Sequence, residues 1–122
     1  MTSFIRTSAE GASGVVHELW AYQLGTHFED SAGIYIFCSL AREGYWVAHY
    51  VGQADSLQSR VGSGLPLHHK VSAAKAIGAT HVAVMGVVGR DERCSVEHDL
   101  IQGLSPPLNE KAAPGFGFRN RA

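Results

Sequence analysis

Two short runs of strand-type residues constrain this chain more than anything else in it. GIYIFCSL starts at Gly33 and GYWVAHYVG ends at Gly52, with Arg42, Glu43 and Gly44 as turn material between them. β-branched and aromatic residues pack well on a pleated surface, and a glycine-containing gap of this length joins antiparallel neighbours, so the pair predicts a β-hairpin. Its two strands carry Tyr35 and Tyr50, close enough across a ladder for the hydroxyls to share one site.

Around this hairpin the spacing predicts mostly helices. Residues 1–13 have no period and read as a loose terminus. Over residues 14–24, Val15, Val16, Leu19, Trp20 and Tyr22 recur at near-helical spacing, with Ser13 as N-cap and Gly25 as stop, which predicts an amphipathic N-terminal helix. After Gly52, Asp55 caps a helix of about two turns that runs into Gly62 and Gly64. HKVSAAKAIG reads as an alanine-rich helix ending on Gly78, and THVAVMGVV as a third, interior strand. A last helix, DERCSVEHDLIQGL, buries Val96, Leu100, Ile101 and Leu104 and stops at Pro106-Pro107. The tail GFGFRNRA, within about 112–122, reads as a flexible arm, with phosphate contact through its arginines as the alternative. The expected fold is α+β, a small sheet covered by helices.

At 122 residues there is room for one core, so residues 1–122 are expected to form one domain. With 45% hydrophobic and 17% charged residues the chain can bury that core. Cys38 and Cys94 match no metal-binding spacing and are expected to be free thiols. Neither a signal peptide nor a membrane span is recognisable, so an intracellular, cytoplasmic location without a membrane partner is expected. The net charge of −1 argues against tight nonspecific binding along a duplex. That charge is uneven: Arg6 stands alone against Glu10, Glu18, Glu29 and Asp30 before residue 33, whereas the remainder is mildly basic.

Four features ask for more than packing. Glu97 lies beside the apolar stripe of the last helix, where a half-buried carboxylate needs an arginine partner or a cation. Arg60 follows the hairpin closely enough to point back at the strand ends and fork onto a phosphate, unless it is simply solvated. Tyr35 and Tyr50 are either core aromatics or, beside a cation, participants in proton transfer. His68, His69 and Lys70 form a cationic cluster after a glycine-rich loop, suited to phosphate and poorly suited to metal, because adjacent histidines point apart.

In order along the chain, Gly33-Ile34-Tyr35, Tyr50-Val51-Gly52, the Gln53–Val61 stretch with Arg60, Glu97 and its helix, and Asn109 resemble the motifs of the GIY-YIG nuclease family. The likeness covers roughly residues 33 to 109. It implies a three-stranded antiparallel sheet flanked by helices, here with an extra N-terminal helix, and DNA as substrate. It further implies that Tyr35 or Tyr50 activates water, Arg60 holds the scissile phosphate, Glu97 is the single protein ligand of Mg²⁺ or Mn²⁺, and Asn109 braces the site. Gly52 belongs to the motif and, with His68, His69 and Lys70, completes the candidate phosphate-binding set. Gly64 stands where many members carry Tyr or His, which leaves His68 or His69 to take that place.

The expected function is metal-dependent DNA endonuclease. A module of the same fold that binds nucleic acid or protein without cutting is the alternative, and an obligate partner subunit docking through the N-terminal helix is a third. No base-reading motif is present, so target choice is expected to come from a partner protein or a fused specificity module.

Overall fold

Six strands close on themselves in a computed structural model that describes residues 3–109 and 117–120. In chain order they are β1 (Ile5–Glu10), β2 (Val16–Gln23), β3 (Gly33–Arg42), β4 (Tyr45–Ala54), β5 (His81–Gly86) and β6 (Gly117–Asn120). Around the barrel the order is β1-β2-β5-β3-β4-β6, with every neighbouring pair antiparallel. Between β4 and β5 come a π-helical turn (Gln58–Gly62), a 3₁₀ turn (Leu65–Leu67) and α1 (Val71–Ala76), and after β5 comes α2 (Arg90–Leu104).

The expected α+β fold, a three-stranded sheet flanked by helices, is therefore corrected to a closed barrel with few helices. The three expected strands lie together as β5-β3-β4, but the sheet runs on at both sides. The N-terminal helix over 14–24 is a strand. Its apolar residues fall on both faces of that strand, Leu19 and Ala21 inside and Val16, Trp20 and Tyr22 outside, and the buried set His17, Leu19 and Ala21 alternates as a strand requires. Residues 1–13 are likewise no loose terminus, since Ile5–Glu10 pair with β2 from Ile5 opposite Ala21 to Glu10 opposite Val16. Gly14, at φ 89°, makes the turn between them in a conformation that side chains other than glycine resist. Of the expected flexible tail, Gly117–Asn120 is β6, paired with both β1 and β4, and the rest lies outside the described residues.

From Gly33 to Cys38 strand β3 is buried on both faces. Ile34, Ile36 and Cys38 point into the barrel with Leu19, Trp46, Ala48 and Val51, and Leu100 and Leu104 of α2 join that cluster. Tyr35 and Phe37 point outward, where the segment from Leu57 to Ala79 covers them. Where α2 meets the β1–β2 turn the backbones nearly touch: a Cβ on Gly103 would lie 2.7 Å from the Ala12 nitrogen. Asp99 fixes that contact by accepting from the Ser13 amide and hydroxyl and by meeting His17 Nε2, each at 2.8 Å. Both cysteines are free, Cys38 buried and Cys94 exposed.

Candidate active site

The outward face of β3 and β4 carries the two tyrosines, and the ladder explains why they meet. Tyr35 stands opposite Gly52, and Phe37 opposite Tyr50. A Cβ on Gly52 would fall 2.4 Å from both Cζ and the hydroxyl of Tyr35, so only glycine lets the phenol lie flat across β4. The register then slips, Cys38 facing Ala48, which leaves His49 as the extra residue of a bulge. Tyr50, two residues before Gly52 in the regular part of the ladder, lies on the Tyr35 face, its ring 6.2 Å from that of Tyr35.

Two nitrogen donors converge on the Tyr35 oxygen. His68 Nε2 lies 2.6 Å away and Arg60 Nε donates across a longer 3.5 Å. The Lys70 amide donates to His68 Nδ1 at 3.0 Å, so the neutral imidazole carries its proton on Nε2 and gives it to Tyr35. Burial, reinforced by the charge of Arg60 and by His69, pulls the His68 pKa from 6.5 down to about 4, so the neutral form prevails at pH 7. Burial pushes the Tyr35 phenol up to about 12 against the opposing Arg60 hydrogen bond. Arg60 is held charged, chiefly by that same hydrogen bond. Tyr35 is thus a protonated phenol whose oxygen takes two N–H groups and which keeps its own proton to donate, chemistry suited to gripping an anionic oxygen.

Glu97 approaches from α2. It is half-buried, and its Oε1 accepts from Gln53 Nε2 at 3.1 Å. Its charge is near enough to help raise Tyr35, as Tyr50 also does. The arginine ion pair that could explain such a carboxylate is absent among the described residues, where Arg93 pairs instead with Asp55 at 2.6 Å. Arg93 is the buried charge that sequence reasoning passed over. It also donates to the carbonyls of Val87 and Val88 and, through Nε, to Gln53 Oε1, so Gln53 is fixed at both ends. Nothing in the spacing of Arg93 sets it apart from a solvated helix arginine. No three His, Cys, Asp or Glu side chains cluster among the described residues. With one oxygen bonded to an amide and no competing ion pair among the described residues, Glu97 fits a hydrated Mg²⁺ that takes a single protein carboxylate.

Asn109 exchanges two hydrogen bonds with the Val51 peptide, Oδ1 from its N–H at 2.7 Å and Nδ2 to its carbonyl at 2.8 Å. Together with the Leu108 amide on His49 O, it occupies the β4 backbone that β6, which ends opposite Tyr45 to Val47, does not reach. His69 is exposed and stacks on His68 at 4.9 Å, and Lys70 uses its backbone rather than its side chain to orient His68.

Set against known protein families, curated proteins and solved structures, the chain finds no match. Tyr35, Arg60 and His68 are in direct contact, Tyr50 and Glu97 act on Tyr35 through space, and Asn109 touches only the backbone beneath Tyr50. His68, expected among the phosphate contacts, is turned inward onto Tyr35. The 33 residues separating the two hide that pairing from any local pattern.

Proposed function

We propose that this chain is a divalent-metal-dependent DNA endonuclease that hydrolyses phosphodiester bonds. One observation carries the reading: a single phenol oxygen receives an arginine and a neutral histidine, beside a second tyrosine and a carboxylate with no ion-pair partner among the described residues. The likeness of these residues to the GIY-YIG motifs supports it.

In this reading Arg60 neutralises a non-bridging oxygen of the scissile phosphate, where charge grows as the attacking water adds to phosphorus. Tyr35 keeps its proton at neutral pH and donates it as a hydrogen bond to the same phosphate. Tyr50, half-exposed and open to a cavity, orients the water and offers its proton a route to solvent as the P–O bond to the leaving strand breaks. A cation on Glu97 would supply Lewis-acid stabilisation of the departing oxygen. His68 positions Tyr35. A second reading, a nucleic-acid-binding or protein-interaction module that does not cut, is favoured by the Gln53 amide already seated on Glu97.

The test is nicking of supercoiled plasmid with Mg²⁺ or Mn²⁺, wild type beside Glu97→Ala at matched thermal stability. Cutting by the wild type and a loss of at least about a hundredfold in the variant are expected, as for removal of a principal electrostatic group. A gel shift without cutting under either metal would transfer the weight to the binding module.

A further inference from the structure

Three neighbouring cavities lie beside the Tyr35 cluster, His68 lining one and Tyr50 another. Ser59 and Arg60 line both the first, of about 510 Å³, and the second, of about 320 Å³. His69 then lines both the second and a third of about 610 Å³. These shared residues put the cavities in series as one groove face, with Arg90 in the first, Arg60 between the first and second, and Lys70 and His98 in the third. Among the described residues its one acidic lining residue, Asp55, is bonded to the buried Arg93. The cationic side chains thus form a track on a chain whose net charge is −1.

The groove also offers flat and apolar surface that the outside of a duplex could not use. Leu67 is 90% exposed beside Arg60, the exposed His69 ring lies nearly parallel to His68, 14° apart, and Tyr50 faces the third cavity. So few cations hold a duplex weakly, because affinity scales with phosphates neutralised. A single strand adds base stacking to the same phosphate contacts, about 1–3 kcal/mol per base.

We infer that the groove binds single-stranded DNA, with Arg90 and Lys70 contacting the phosphates that flank the one at Arg60, and with bases against Leu67 and His69. This rests on the nuclease reading for the placement of the scissile phosphate, but its test does not require cleavage. Fluorescein-labelled oligothymidylate, its ribonucleotide counterpart and the matching DNA duplex are titrated with the full-length protein in EDTA, and anisotropy is followed across a salt series.

Binding of the DNA single strand about tenfold or more tighter than the duplex is expected. Arg90→Ala and Lys70→Ala should each lower the slope of log affinity against log salt by about 0.7. His69→Ala, measured at pH 8, should weaken binding at least about fivefold with the slope unchanged, as loss of stacking requires. All three side chains point into solvent or the groove, and circular dichroism verifies that the variants are folded. Equal or tighter duplex binding, tighter RNA binding, or slopes unaltered by both cation variants would each overturn the inference. Plasmid nicking with duplex preference would leave the nuclease reading standing alone. Single-strand preference without cutting under any metal would do the reverse.

Discussion

A buried phenol that accepts from an arginine and a histidine is held in its neutral form by desolvation, and the histidine is held neutral by the same burial. This coupling has a measurable sign. The unfolded chain protonates this imidazole near 6.5 and the folded chain only near 4, so the unfolded state binds more protons between those values. The stability associated with neutral His68 is complete above pH 6.5 and declines as the pH falls to 4. His49 and His81, also lowered by burial, bend the curve the same way. Denaturant unfolding at pH 7.5 and 4.5 should therefore show a smaller pH-dependent loss in His68→Gln than in the wild type. An equal loss in both would mean that this imidazole does not titrate as argued. Tyr35, Tyr50, Arg60 and Glu97 could be singled out from residue type and position. The Arg93–Gln53–Glu97 chain could not, because each of its links crosses about 40 residues.

Element identity divides along the same line. The hairpin, β5, α1 and α2 were readable because their apolar periods agree with their propensities. VHELWAYQ was not: its large apolar residues sit on a helical stripe and are split between the two faces of a strand, so only pairing with both β1 and β5 makes it one. Helix α2 shows how tightly such docking is specified. Alanine at position 103 would raise helix propensity by up to about 1 kcal/mol. Its Cβ, however, would press on the Ala12 nitrogen and the Glu10 carbonyl, 2.7 and 2.8 Å away, and these are backbone atoms that cannot rotate aside. The clash should dominate. Gly103→Ala is expected to lose about 1–3 kcal/mol in urea unfolding, the usual range for overpacking. A variant as stable as the wild type would show that α2 can lift from the β1–β2 turn without penalty.

Closure is a property of the whole molecule. β6 has only four residues, yet it occupies the open edges of both β1 and β4 and brings Phe118 onto the Trp46 ring, 6.3 Å centroid to centroid. Asn120 meanwhile accepts the indole N–H of Trp46. Without these residues two strand edges stand unpaired, and unpaired edges associate with other chains. Deleting residues 117–122 is expected to lower the melting temperature and to produce concentration-dependent species larger than the monomer in size-exclusion chromatography. A deletion variant that elutes as the wild type does at every concentration would argue that β6 merely decorates a self-sufficient sheet.

From its own residues the chain determined its local pieces: a hairpin with two tyrosines on it, a following arginine, and a helix bearing a carboxylate beside its apolar stripe. These are readable because periodicity, turn chemistry and residue type act over a few positions. Tertiary structure alone decided that the N-terminal segment is a β-hairpin, that the terminal strand seals a barrel, and that His68 lies on Tyr35 rather than on solvent. The reason is common to all three. A residue pattern compatible with two local conformations acquires one only when a distant partner supplies the backbone hydrogen bonds and the buried surface, and no such partner is adjacent in sequence.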